Sequence, residues 1–497
     1  MALSDDALRA KGDEALADTR FKIHHVRYIS TRGEAPPLSF TETLLAGLAQ
    51  DGGLYLPETY PSLGADEIAG FAGKPYADVA LAVISPFVAG EIETGALRRM
   101  IEEAYAGFRH PAVAPLAQID SNLFALELFH GPTLAFKDVA MQLLARLIDH
   151  ALKARGQRAT IVGATSGDTG AAAIEAFRGL DQVDVFILYP HGRVSDVQRR
   201  QMTTVAADNV HAIALEGNFD DAQARVKAMF NHRAFRDEFG LCGVNSINWA
   251  RIVAQTVYYF TSAAVLGGPL RPVSFATPTG NFGDIFAGWI AKRMGLPIDR
   301  LIIAANANDI LPRALASASY ALGEVQATQS PSMDIQVSSN FERLLFEAYG
   351  RDPRAVRGKM ASLLQSGAFS IDRGPLAAIR SEFDAFSTGE AETTQEIGNT
   401  WRGSGYLVDP HTAVGLRAAR LAQPRDPLIP HIVLATAHPA KFPDAIERAT
   451  GARPGLPAHL SDLLERDERF SVVANDQSEV ERFIRARARR ESSRAAS

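Results

Sequence analysis

A chain of 497 residues is longer than one compact core holds, at roughly 150 residues per domain, and predicts two to four lobes with room for a cleft between them. Hydrophobic residues at 46% and charged residues at 22% exclude a disordered or fibrous protein, and a net charge of -6 excludes a global basic field for nucleic acid or anionic lipid, so small molecules are the expected partners. Cys242 is the only cysteine, no run of about 18 uncharged apolar residues offers a membrane span, and the amino terminus alternates charges where a secretory signal would be apolar, so a soluble cytoplasmic protein is expected.

In chain order, residues 5 to 20 read as a polar helix or extension, and Phe21 to Ile29 alternates like a strand. Phe40 to Ile101 is helical, broken at Asp51-Gly52-Gly53 and at Pro57, Pro61 and Pro86, which predicts an N-terminal, mainly helical lobe over 1–115. Apolar runs at Thr160 to Ala164, Val183 to Tyr189 and Val210 to Leu215, with helical stretches between them, predict βαβ units and a parallel sheet. Runs at Pro272 to Thr277, Leu301 to Ala305 and Ile432 to Ala435 predict a second one. The expected division is a smaller α/β lobe over 116–240 and a larger one over 241–480. A helical insertion is expected at about 340–405, where strand signals vanish, followed over 481–497 by a basic flexible tail, read as a last helix fraying into disorder.

Five segments carry the chemistry. Gly131-Pro132-Thr133-Leu134-Ala135-Phe136-Lys137-Asp138 runs from a turn into a helix. Helical lysines are mostly solvated surface charges, but Ala135, Phe136, Val139, Ala140, Leu143 and Leu144 surround Lys137 with apolar side chains. Burial disfavours an ammonium, and an amine so placed is suited to attack a carbonyl and to shuttle a proton. Thr165-Ser166-Gly167-Asp168-Thr169-Gly170 links a strand to a helix, where unpaired N–H groups and the helix dipole favour an anion. A tight turn with Ser166 or Asp168 as N-cap accounts for that segment equally well.

Asn245-Ser246-Ile247-Asn248-Trp249-Ala250-Arg251 gathers amides, a hydroxyl and a guanidinium able to clamp a carboxylate or phosphate, and a surface arginine with capping asparagines accounts for the same residues. Thr279-Gly280-Asn281-Phe282-Gly283-Asp284 matches neither the dinucleotide fingerprint nor a P-loop, but Gly280 and Gly283 let the backbone approach one compact phosphate. Ala435-Thr436-Ala437-His438-Pro439-Ala440-Lys441 ends a strand, where ligands of open α/β sheets sit, and places Thr436 to meet one. His130, His411 and His438 lack the i, i+4 spacing of a helical zinc site, so no catalytic metal is expected.

Together with Tyr28-Ile29-Ser30-Thr31-Arg32-Gly33 and Asp51-Gly52-Gly53-Leu54-Tyr55-Leu56-Pro57, these segments resemble the threonine synthase family in its longer form, found in fungi and many bacteria. The resemblance runs from about residue 28 to 450 in the family's order. It implies the tryptophan-synthase-like fold of pyridoxal-phosphate enzymes, an α/β fold with two parallel-sheet lobes. Lys137 would carry pyridoxal 5′-phosphate through its amine, Gly280, Asn281, Phe282, Gly283 and Asp284 would take its phosphate, and Thr436 would stand beside its pyridine nitrogen. It implies further that Thr165, Ser166, Gly167, Asp168 and Thr169 hold the substrate carboxylate. Asn245, Ser246, Asn248 and Arg251 would hold the phosphate of O-phospho-L-homoserine, which is converted with water to L-threonine and phosphate. A threonine dehydratase or cysteine synthase of the same fold would need neither Arg251 nor the N-terminal lobe. A cofactor-binding module without activity would not need Lys137, Thr436 and Arg251 together, and an RNA-binding role for the tail conflicts with the net charge.

Overall fold

The computed structural model describes residues 25–489. The expected polar helix or extension over residues 5 to 20, and residues 490–497 of the tail, lie outside that range. Residues 25–115 form a short antiparallel ribbon, Tyr28–Ser30 with Tyr55–Pro57, and the helices Phe40–Ala46, Ala65–Ala69, Tyr76–Val88 and Thr94–Tyr105. Ser39 and Glu42 start the first of these with a reciprocal capping box, which satisfies N–H groups that a helix end leaves unpaired. Val79, Val83, Ile84 and Phe87 recur on one face of Tyr76–Val88 and bury it against the helix Trp249–Val265. This N-terminal region therefore braces two helices that carry site residues, Lys137–Arg155 and Trp249–Val265.

Two large sheets make the frame. The six-stranded one runs in the order Phe383–Ser387, Ile298–Ala305, Val273–Pro278, His431–Ala435, Leu123–Glu127, Leu116–Asp120, with every neighbour parallel except the last pair. The five-stranded one is parallel throughout, in the order Ser471–Ala474, Val210–Glu216, Val183–Pro190, Ala159–Ala164, Leu241–Cys242. Val183–Pro190 is buried along its whole length, as strands covered on both faces must be, and its sequence is correspondingly almost unbroken in apolar residues.

The strands do not sort along the expected boundaries. Leu116–Asp120 and Leu123–Glu127, expected in the smaller lobe, extend the six-stranded sheet, while Leu241–Cys242 and Ser471–Ala474 complete the five-stranded one. Backbone pairing, rather than order along the chain, decides membership. The stretch expected to be a helical insertion without strand signals holds the helices Phe341–Ala348, Pro353–Ser366, Arg373–Glu382 and Glu390–Ser404, but also the strand Ala368–Ser370 and the edge strand Phe383–Ser387. Edge strands tolerate charge; here Asp384 accepts two bonds from Arg300, at 2.9 and 2.7 Å, which disguises the apolar pattern. The last helix expected at the start of the tail is present and, as far as residue 489, docked on the five-stranded sheet's side of the protein. Val480 and Ile484 lie on the inner face of the helix Gln477–Arg487 and are fully buried, and Arg489 pairs with Asp184 at 2.6 Å. Among the described residues no helix is long and apolar enough to cross a membrane.

The segments singled out from the sequence leave the carboxyl ends of parallel strands. Thr165 follows Ala159–Ala164, Thr279 follows Val273–Pro278, Thr436 follows His431–Ala435, and the turn into Lys137 follows Leu123–Glu127. In open α/β sheets these ends face the ligand crevice.

Candidate active site

Lys137 opens the helix Lys137–Arg155, and the residues before it are tied to the end of the strand His431–Ala435: the Phe136 N–H donates to the Thr436 carbonyl at 2.9 Å, and Ala135 bridges Ala437. Thr436 and Lys137 are thereby brought together. The lysine side chain is buried, with Nζ 3.6 Å from Asp168 Oδ2 and donating to Ser332 Oγ at 3.5 Å. Burial pushes its amine's pKa down and the nearby Lys441 and Arg251 add to this, against the pull of Asp168.

Asp168 stands at the start of the helix Asp168–Phe177. Gly167 precedes it at φ 145°, a conformation that favours glycine, and a Cβ there would displace the Gln198 amide, which it would meet at 2.5 Å. Thr165 Oγ1 closes the turn by accepting the Gly167 and Gly170 N–H groups, each at 3.0 Å. Neither Ser166 nor Asp168 caps the helix, which removes the simple N-cap explanation of this segment. The Asp168 carboxylate turns inward instead: Oδ1 accepts from Gln198 Nε2 at 2.8 Å and pairs with Lys441 Nζ at 2.8 Å. Burial works against its charge, but Lys441 and Lys137 outweigh it and hold the carboxyl well below the usual carboxylate range. The Asp168 carboxylate is taken up by Lys441, Gln198 and the side facing Lys137 and has no donor to offer a second carboxylate, so only the backbone N–H and hydroxyl groups of the turn suit the expected grip on the substrate.

At the second turn Phe282 sits in the left-handed region at φ 64° and leads into the helix Gly283–Arg293, whose first N–H groups have no intrahelical acceptor. A Cβ on Gly280 would meet the Ser332 carbonyl at 2.8 Å, so a side chain would fill this cradle. Asp284 Oδ1 accepts from the hydroxyls of Tyr258 and Tyr259, while Oδ2 is buried without a partner. Burial pushes its carboxyl up to about 7 despite those tyrosines.

Arg251, on the first turn of Trp249–Val265, is buried. Its Nη1 donates to the Val244 carbonyl at 3.2 Å, its Nε has no partner, and burial pushes its pKa down to about 10. Among the described residues no carboxylate lies within ion-pair distance of it. The Ser246 carbonyl accepts from Asn340 Nδ2 at 3.1 Å, and that amide also donates to the Asn281 carbonyl at 2.9 Å, which seats the 245–251 segment against the Gly280 turn. Asn248 departs from expectation. Its Oδ1 caps the helix through the Ala250 N–H at 3.1 Å and its Nδ2 donates to the Leu44 carbonyl at 2.9 Å, so both ends of the side-chain amide are engaged in positioning the segment.

Comparison with known proteins gives this geometry its family. "Threonine synthase N terminus" matches residues 27–105, "Pyridoxal-phosphate dependent enzyme" residues 108–428, and "Threonine synthase, C-terminal" residues 412–484. The threonine synthase of Pseudomonas aeruginosa is 54% identical over 460 residues, 92% of this chain and 98% of its own. The chain belongs to the threonine synthase family. The crystal structure of pyridoxal-phosphate-bound threonine synthase from Brucella melitensis superposes with a TM-score of 0.92 at 60% identity, over 93% of this chain and all of that one. Yeast threonine synthase does so with a TM-score of 0.88 at 40% identity, over 92% of this chain and 98% of that one. The family's cofactor is pyridoxal phosphate. The residues present fit it: a desolvated amine at Lys137, a glycine cradle at a helix start, and a threonine at a strand end beside the lysine.

Several residues beside Lys137 and Asp168 have no role in the sequence reading. Lys441 closes the segment Ala435 to Lys441, but the sequence assigns it no partner. Gln198 and Gln201 lie in the short amphipathic helix Asp196–Thr203, which carries no distinguishing signal. Ser332 belongs to a polar connection. Its N–H donates to His411 Nε2 at 3.2 Å, and His411 Nδ1, which therefore carries the ring proton, faces Asp409 at 2.6 Å.

Proposed function

We propose that the pocket around Lys137 is where this chain converts O-phospho-L-homoserine and water to L-threonine and phosphate. The observation that carries the assignment is Arg251, a buried guanidinium with a partnerless N–H, seated beside a helix start that already suits the cofactor's own phosphate. Two separate anion seats match a phosphorylated substrate on a phosphorylated cofactor.

When bound, pyridoxal phosphate supplies an electron sink for the charge that develops on the substrate's carbons. The chain's residues do the rest in this reading. Lys137 would hold the cofactor through its amine and, once the substrate's amino group has displaced it there, would take the α-proton of the substrate and deliver protons along the carbon chain. The N–H groups of Gly280 to Asp284 would hold the cofactor phosphate, and the neutral Thr436 hydroxyl, at a strand end next to the turn into Lys137, would serve as a partner for the cofactor's ring. The turn from Thr165 to Thr169 binds the substrate carboxylate through N–H and hydroxyl groups. Arg251 with Asn245 and Ser246 binds the phosphate that leaves the γ-carbon, and water adds at the β-carbon. The five-stranded sheet thus supplies the carboxylate side and the six-stranded sheet the cofactor side of one crevice. The substrate is a small, cytoplasmic metabolite, and neither nucleic acid nor membrane takes part.

The test is direct. Purified chain given O-phospho-L-homoserine should release L-threonine and inorganic phosphate in equal amounts, and homoserine should yield none. Phosphate without threonine, or ammonia and a keto acid as main products, would transfer the site to a dehydratase-like reaction.

A further inference from the structure

Lys441 has no place in the reaction just described, yet its ammonium is as completely enclosed as any group in the protein. Its side chain is 0% exposed, and its three N–H donors meet three acceptors: the Thr133 carbonyl at 2.8 Å, Gln201 Oε1 at 3.1 Å and Asp168 Oδ1 at 2.8 Å. Each acceptor belongs to a different part of the pocket. Thr133 is in the turn that leads into Lys137, Gln201 is on the helix Asp196–Thr203, and Asp168 opens the helix after the carboxylate turn. Lys441 and Gln198 occupy Oδ1 of Asp168, and Oδ2 is left toward Lys137 Nζ at 3.6 Å and Ser332 Oγ at 3.5 Å.

We propose that Lys441 is a positioning residue of this active site: it fixes Asp168 with one oxygen toward Lys137 and neutralises that carboxylate, so that the Lys137 amine stays free to act. The proposal rests on Lys137 being the cofactor lysine. The charged groups that face Lys137 are Asp168 from the helix Asp168–Phe177, Lys441 from the turn Pro439–Lys441, Arg251 from Trp249–Val265 and Asp284 from Gly283–Arg293. Of the two acids, Asp168 is within ion-pair distance of Lys137. With Lys441 removed, Asp168 would keep only Lys137 as a cationic partner at that distance, and a bare carboxylate holds an amine in its protonated form, which neither attacks a carbonyl nor accepts a proton.

The experiment uses the full chain freed of cofactor, acetylated briefly with acetic anhydride across a pH series, with labelling of the Lys137 peptide read by mass spectrometry. In Lys441→Met the midpoint for Lys137 should rise by about one pH unit or more, the size of effect an opposite charge has at this range. In Asp168→Asn it should fall, because Lys441 then acts uncompensated. In the double variant, which leaves no buried charge of this pair unpaired, it should lie above that of Asp168→Asn. That second comparison keeps the test intact if Lys441→Met alone does not fold. In the loaded enzyme the acid limb of kcat, which reports the substrate-bound form in which the Lys137 amine is released, should move up in Lys441→Met in the same direction as the labelling midpoint. A role confined to stability would lower Tm and leave the midpoints where they are. An unchanged or lower midpoint in Lys441→Met, or a double variant that titrates with Asp168→Asn, overturns the proposal. Failure of the cofactor assignment shows separately, as borohydride-reduced cofactor on a peptide lacking Lys137.

Discussion

On the carboxylate side of the pocket the charges are matched before any ligand arrives: Lys441, Asp168 and Lys137 form one buried row, with Gln198 and Gln201 filling the remaining hydrogen-bond positions. On the phosphate side Arg251 is equally buried but has only the Val244 carbonyl, and its Nε is partnerless. Burying a charge without a counter-charge is costly. The first arrangement therefore holds its own geometry, whereas the second stores an unmet demand that an incoming anion fills. Positioning and recruitment are divided between two regions of one crevice, and each should respond differently to mutation.

The largest effect should come from Lys137→Ala. Loss of the group that holds the cofactor and moves the proton should lower turnover by at least about a thousandfold, within the range of general acid–base contributions combined with covalent anchoring. The visible cofactor band and the borohydride-reducible linkage should vanish. The comparison is sharpened by what stays: Asp168 keeps Lys441 at 2.8 Å, so Tm should change little. A collapse of Tm would show that Lys137, and not Lys441, balances Asp168.

Arg251→Met should act in the opposite sense on the other region. Charge-assisted bonds to a phosphate are each worth about 1.5 to 3 kcal/mol, so kcat/KM for O-phospho-L-homoserine should fall about tenfold to a hundredfold while the cofactor spectrum persists. Stability should hold or rise, because an unpaired buried cation is replaced by an apolar chain of similar length. Added inorganic phosphate should raise Tm in the wild type more than in the variant. A large drop in Tm with no loss of kcat/KM would make Arg251 structural and break the division.

How far the sequence alone reaches follows the same line. Lys137 was readable because its neighbours Ala135, Phe136, Val139 and Ala140 are apolar, and the central strands were readable because two-sided burial leaves an unbroken apolar run such as Val183–Pro190. Asp168 was readable as part of an anion turn but not as a buried ion pair, since its partner Lys441 arrives from the end of the other sheet and no local pattern links them. Leu241–Cys242 and Ser471–Ala474 are too short and too polar at their flanks to signal strands, and the edge strand Phe383–Ser387 hides an apolar face behind Asp384. Ser332 is part of a connection without periodicity, placed by the His411 bond to its N–H, which only the folded chain brings about.

A smaller effect is expected at Thr436, which belongs to neither charged row. Its carbonyl already anchors Phe136, so Thr436→Val should leave the fold intact and remove only the hydroxyl. Loss of one buried hydrogen bond is worth about 0.5 to 1.5 kcal/mol, a few-fold to about tenfold in cofactor retention or turnover. Equal cofactor affinity and equal rate in the variant would take Thr436 out of the site.

The smallest effect should be at Arg489, which tests whether matched charge matters for its own sake. Asp184 is buried near the start of Val183–Pro190, at the end of the sheet opposite the crevice. It accepts Arg489 Nε at 2.6 Å and the Arg489 N–H at 2.9 Å, with Arg158 at 3.6 Å as a second cation. This is a ligand-independent pair like that of Asp168 and Lys441, but with one partner partly exposed and a reserve cation beside it. Arg489→Ala leaves the N–H and Arg158 in place, so the loss should be about 1 kcal/mol or less, as for pairs that water screens. A fall in Tm of roughly 1 to 3 °C, with kcat/KM unchanged, is the expected outcome. Removal of residues 484–497 should cost more, since it also strips Ile484 from the core and a fully buried aliphatic side chain contributes about 1.5 to 3 kcal/mol. If Arg489→Ala instead lowered kcat/KM as much as it lowered Tm, charge pairing at the far end of the five-stranded sheet would be coupled to the crevice, and the separation between a self-balanced region and a recruiting one would no longer describe this protein.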